Sequence, residues 1–117
     1  MNMEITGYSF GKITIDGKAY TGDLIIYPDD TVEPSWWRGE GHLLQPEDIS
    51  GILKDPPEIL VIGTGHDGVM QVDKRTLDAL REKGVEVHAL KTAEAVKLYN
   101  SQEKKGKKAA AALHLTC

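Results

Sequence analysis

A single cysteine, Cys117, excludes an internal disulfide and any multi-cysteine metal site, and it fits a reducing compartment. No apolar run approaches the roughly 20 residues that a membrane helix needs, so no membrane association is expected. The opening Met-Asn-Met-Glu-Ile-Thr places no basic stretch before an apolar one. No secretory signal or transit peptide is read there, and a cytoplasmic location is the expectation. The four histidines, His42, His66, His88 and His114, stand at no metal-ligand spacing with one another, with Cys117 or with a carboxylate motif. Neither a metal nor a cofactor is expected. A basic excess is also missing: the net charge is -4 and the pI near 5.5, which argues against a nucleic-acid partner.

What remains is an ordinary globular composition. The 117 residues, 40% hydrophobic and 27% charged, suit one domain spanning residues 1–117. Charge is uneven along it. Residues 1–58 carry 11 acidic and 4 basic side chains, whereas residues 59–117 carry 7 acidic and 10 basic. The basic cluster Lys104, Lys105, Lys107 and Lys108 surrounds Gly106, as expected of a solvated helix end.

The first half alternates with period two. Ile13 and Ile15 flank Thr14, and Asp16-Gly17 supplies the pair favoured where both turn residues need positive φ, so residues 12–20 predict a hairpin. Residues 24–27 form a short strand closed by Pro28-Asp29-Asp30, and residues 32–37 return beside it, with Pro34 tolerated on an edge. The second half alternates helix and strand. Pro46, Glu47 and Asp48 open a helix that buries Ile49, Ile52 and Leu53 and stops at Asp55-Pro56-Pro57. The continuous apolar run Ile59-Leu60-Val61-Ile62 predicts a strand covered on both faces. A helix capped by Asp73 and closed at Gly84, a strand over 85–90, a helix capped by Thr92 and a strand over 109–115 complete the pattern. The fold class is therefore α/β: three layers, a central mixed and partly parallel sheet with helices packed on it, and an N-terminal antiparallel hairpin portion.

Two segments stand out chemically. Gly63-Thr64-Gly65-His66-Asp67-Gly68 follows the central strand at its carboxyl end, where open α/β sheets bind ligands and backbone N–H groups can meet an anion. Gly63, Thr64, Gly65, His66 and Gly68 are the candidate ligand residues for a small anion. The spacing departs from the P-loop and dinucleotide fingerprints, and a tight turn with three glycines at positive φ is the favoured account of it. The second segment is Trp36-Trp37-Arg38 with His42. On a strand adjacent tryptophans face opposite ways, so one fills the core and the other reaches the surface beside Arg38, the composition of a contact hot spot. Trp36, Trp37, Arg38 and His42 are the candidate contact residues for a protein partner. Packing of both tryptophans under the 39–42 loop is the competing account. No catalytic residues are assigned.

In order along the chain, Tyr8-Ser9-Phe10-Gly11, Ser35-Trp36-Trp37-Arg38 with Gly41-His42, Pro57-Glu58-Ile59-Leu60-Val61-Ile62-Gly63-Thr64-Gly65, Thr92-Ala93-Glu94-Ala95, Tyr99-Asn100 and the final Ala-Leu-His-Leu-Thr-Cys carry a resemblance. The chain resembles the Mth938-type domain family, which includes adipogenesis-associated proteins of animals, a mitochondrial respiratory complex I assembly factor and many prokaryotic single-domain proteins of unknown function. The resemblance implies a three-layer α/β fold and no known catalytic activity. For the mitochondrial relatives it implies an assembly role exerted through protein contacts. A non-enzymatic binding or assembly module is thus the first expectation, and an anion-binding protein, with or without turnover, the second. A domain this small leaves strand edges that self-association would protect, and homo-oligomerisation stays open.

Overall fold

The Asp16-Gly17 turn takes the conformation its residues favour, with φ of 48° and 85°, and joins two short strands of an antiparallel trio. That trio is β1 (Ile5–Ser9), β2 (Lys12–Ile15) and β3 (Lys18–Tyr20). There follow β4 (Leu24–Ile26), β5 (Val32–Glu33), β6 (Leu43–Leu44), a 3-10 turn at Pro46–Ile49, α1 (Ser50–Lys54) and β7 (Ile59–Thr64). The chain closes with β8 (Gln71–Val72), α2 (Lys74–Glu82), β9 (Glu86–Leu90), α3 (Thr92–Lys104) and β10 (Ala109–His114). This computed structural model describes residues 3–117; the first two residues of the expected domain and of its opening segment lie outside the described residues. Among the described residues no helix is long and apolar enough to cross a membrane.

The central sheet runs β5-β4-β10-β7-β9. β10, β7 and β9 are parallel, β4 is antiparallel to β10 and β5 to β4, so the sheet is mixed as expected. Side-chain alternation then builds two cores. Ile26, Ile59, Val61, Ala109 and Ala111 face α3 and the β1–β2 hairpin, where Ile13, Ile15, Ala95 and Tyr99 pack on them. Ile25, Leu60, Ile62, Ala110 and Ala112 face the other way, against Trp36, Leu44, Ile49, Ile52, Met70 and Leu80. The two covering layers explain why β7 is apolar at every position from Ile59 to Ile62.

Local expectations fare unevenly. Asp73 caps α2 by accepting the Arg75 N–H, and Gly84 follows the helix with φ 76°. The strand expected over 32–37 ends after Glu33, because Pro34 has no N–H for a ladder and Ser35 turns the chain at φ 60°. Thr92 does not cap α3; Lys91 holds that place with no side-chain bond. Thr92 is instead buried, its hydroxyl donating to the His114 carbonyl at 2.6 Å and accepting the Gly65 N–H at 2.9 Å. The short parallel pair of β6 and β8 has too few residues to carry any periodicity.

Candidate functional site

β7, β9 and β10 are parallel, so their carboxyl ends gather Thr64, Leu90 and His114 on one edge. The 63–68 loop leaves β7 there, at the place the topology favours for a ligand. Its backbone donors, however, are turned onto the chain itself. The His66 N–H donates to the Thr116 carbonyl at 2.8 Å, and the Asp67 and Val69 N–H groups donate to the Cys117 oxygen, each at 3.1 Å. Gly68 donates to Gly65 and Met70 to Thr64. Gly65 serves this close passage of residues 116–117. A Cβ on Gly65, which has φ 111°, would stand 2.6 Å from the Thr116 carbonyl oxygen. Gly68 has φ 72°, but Gly63 lies in β7 at no positive φ, so two of the three glycines, not all three, need the left-handed region. A Cβ on Gly63 would press on Thr92 Oγ1 at 2.8 Å. Thr64 Oγ1 donates to the Leu90 carbonyl at 3.0 Å. His66 is exposed, in edge-to-face contact with Phe10 at 5.6 Å. Tyr8, whose hydroxyl donates to the Leu115 carbonyl, has its pKa raised by burial and by Asp67 and Asp23.

The tryptophan segment divides as expected, although not because it is a strand. Trp36 is buried, its backbone N–H donating to the Asp23 carbonyl and its Nε1–H to the Asp48 carbonyl at 2.9 Å. Trp37 points outward and is 79% exposed. Arg38, expected at the surface beside it, is only 8% exposed. Its guanidinium stacks 4.6 Å over the Trp36 ring, donates to the Gly41 carbonyl at 2.7 Å and pairs with Asp23 at 3.0 Å. Asp23 Oδ2 also lies 2.7 Å from His114 Nδ1. An ionised carboxylate only accepts, so the shared proton sits on Nδ1. His114 Nε2 and Arg38 Nη1 are then buried without a partner among the described residues. Exposed His42 stands edge-to-face to His114, with ring centroids 5.7 Å apart. Arg38 thus ties the 36–42 segment to the carboxyl edge of the sheet, and Asp23 is the partner that sequence spacing does not show.

Trp37 borders a groove of about 340 Å³ whose walls include Tyr27, Glu33, Trp36, Glu47 and Asp48. No lysine, arginine or histidine lines it. The Tyr27 hydroxyl donates to Glu33 Oε1, and burial, helped by Glu33, raises its pKa. Asp48 is fixed by the Gly39 and Gln45 N–H groups, one on each carboxylate oxygen. Gly51 makes room for the wall: a Cβ there would stand 2.9 Å from the Tyr27 ring. Of these residues, only the tryptophans belong to the segment singled out from sequence. The others come from just after β4, from β5, from the 3-10 turn and from α1, and only folding brings them together.

Comparison with known proteins places the whole architecture. Residues 5–114 match the model of a family described as protein of unknown function (DUF498/DUF598). The crystal structure of the conserved hypothetical protein PH1505 from Pyrococcus horikoshii OT3 is similar with a TM-score of 0.85 and 30% identity, covering 97% of this chain and 99% of that one. The protein MT938 is similar at 0.82 and 27% identity, covering 98% and 99%. A Mth938-like domain protein from Bordetella pertussis, solved by solution NMR, shares the fold at 0.69 and 22% identity, covering 97% and 85%.

Proposed function

The chain belongs to the DUF498/DUF598 family of Mth938-type domains, a family of unknown function, and from its site we propose that it is a non-enzymatic protein-contact module centred on Trp37. The observation that carries this reading is the 79% exposure of a tryptophan at the rim of a walled groove. Tryptophan is the side chain most enriched at contact hot spots, because one rigid ring removes a large apolar area from water. Its setting is rigid as well. Trp36 is pinned by two hydrogen bonds and Arg38 by the Gly41 carbonyl, the Asp23 carboxylate and the Trp36 ring, so the segment is ordered before any partner arrives and little conformational entropy is lost on association. The alternative, an anion pocket at Gly63, Thr64, Gly65, His66 and Gly68, has weaker support, since the donors it requires already meet the chain's own oxygens.

A photo-crosslinking amino acid placed at exposed Ser50, in the groove wall beside Trp37, in the source cells tests this reading, with the same substitution at the 56% exposed Phe10 as the comparison. A defined partner should cross-link from position 50 and not from position 10, and adding Trp37→Ala should lose that partner without changing the melting temperature. Retention of the partner by folded Trp37→Ala would defeat the proposal.

A further inference from the structure

We propose that the groove beside Trp37 receives a lysine or arginine side chain carried on a basic segment of a partner protein. This deepens the contact reading above and rests on it. The walls bring three aromatic rings, Tyr27, Trp36 and Trp37, together with three carboxylates, Glu33, Glu47 and Asp48, and no positive charge. Aromatic faces and carboxylates attract cations by the same electrostatic sign, the ring through its quadrupole and the carboxylate through its charge. The volume, about 340 Å³, is that of a site for a side chain or small ligand.

The acids are not equivalent. Asp48 has both oxygens engaged by N–H groups and contributes field, and Glu33 holds the Tyr27 hydroxyl through one oxygen. Glu47 is exposed and lines the groove as well. Arg75 is exposed and outside the groove's lining, and its Nε and Nη2 donate to Asp73 at 3.2 and 3.1 Å. The protein also displays the chemistry once internally: the Arg38 guanidinium covers the Trp36 ring at 4.6 Å. The ring of Trp37 offers the same face to solvent, uncovered. Residues 1–58, which supply every wall of the groove, hold 11 acidic against 4 basic side chains, so a basic partner segment meets a favourable field before contact.

The test uses the full chain labelled with 15N and follows the Trp37 indole N–H by NMR against N-acetyl-lysine amide, N-acetyl-arginine amide and the neutral N-acetyl-norleucine amide. The two cations should shift the Trp37 signal saturably, with norleucine inert. Trp37→Leu, read on the Ser50 and Gly51 amides, should weaken binding by about threefold or more. Glu33→Gln with Glu47→Gln should weaken it by a similar factor, and raising salt from about 0.05 to about 0.5 M should weaken it further. An equal shift with norleucine would make the groove merely apolar and overturn the proposal, as would no shift with either cation. A Trp37 shift that grows with the protein's own concentration would make the occupant a second copy and would equally overturn it. If these fail while crosslinking from position 50 still captures a partner, the contact reading stands and only its cationic chemistry is lost.

Discussion

Asp23 shows how one carboxylate can hold together three segments that are distant in sequence. Burial pushes its pKa up, but the His114 and Leu115 N–H groups, the histidine's charge and the Arg38 guanidinium outweigh that and hold it below the usual carboxylate range. A carboxyl depressed in the folded state binds fewer protons than in the unfolded chain. Its contribution is therefore present at neutral pH and is lost as pH falls from the ordinary value through the folded one. Asp23→Asn should cost about 3 kcal/mol at neutral pH by leaving Arg38 buried without its counter-charge. It should also flatten the acid side of a stability curve measured by urea unfolding across pH; a variant that keeps the native acid limb would show that Asp23 is not its source. The contrast is Trp37→Ala, where a side chain that stabilises nothing internal should change stability by less than about 0.5 kcal/mol.

The β7 turn and the strands around it carry a different kind of constraint. Gly65 has a positive φ and no room for a Cβ because residues 116–117 cross it. Gly65→Ala should cost roughly 1–3 kcal/mol from backbone strain alone and more from displacing that crossing. Amide exchange at His66, Asp67 and Val69 should then accelerate before exchange in β7 does. On α2, Leu80 is fully buried against Ile62 and Met70 in the same core, and Leu80→Ala should cost about 2–5 kcal/mol in equilibrium unfolding. Elements written in local signals were legible: the Asp16-Gly17 turn, the Asp73 cap, the Ile59 to Ile62 run and the helix that ends before Gly84. Thr92 was not, since a hydroxyl at the start of a helix reads as a cap until a neighbouring carbonyl, here that of His114, claims it. The segment after Glu33 was not either, because alternating large residues read as a strand while Ser35 turns the chain.

Across the molecule, three layers meet on β10. Its run from Ala109 to Ala112 places four buried alanines between two neighbouring strands, with alternate residues facing opposite cores. Small side chains there let α3 and the opposite layer approach the sheet closely. Ala111→Leu should therefore overpack the side holding Tyr99 and cost about 1–3 kcal/mol, read as a lower melting temperature. The same layering leaves the two electrostatic halves on different elements: the acidic groove is built from residues 27–51, while the lysines lie at the end of α3 and just after it. Solvated lysines at a helix end need no partner to explain them. The groove, by contrast, has an exposed aromatic that no core requires.

Hydrophobic periodicity, turn residues and caps are local properties, so order along the chain was enough to establish the α/β class and the mixed sheet, and the resemblance of its short motifs pointed to the family. The division of Trp36 from Trp37 into buried and exposed was one of two accounts left open along the chain, and strand alternation is not its cause, since the strand ends after Glu33. Whether the 63–68 loop keeps free N–H groups depends on where residues 116–117 pass. Whether Arg38 faces a partner or the interior depends on Asp23 and on His114, the latter 76 positions away. The groove itself joins Tyr27, Glu33, Glu47 and Asp48 across a turn, a two-residue strand and a 3-10 turn. These are proximities between segments, set by how the sheet orders its strands and not by any spacing along the chain.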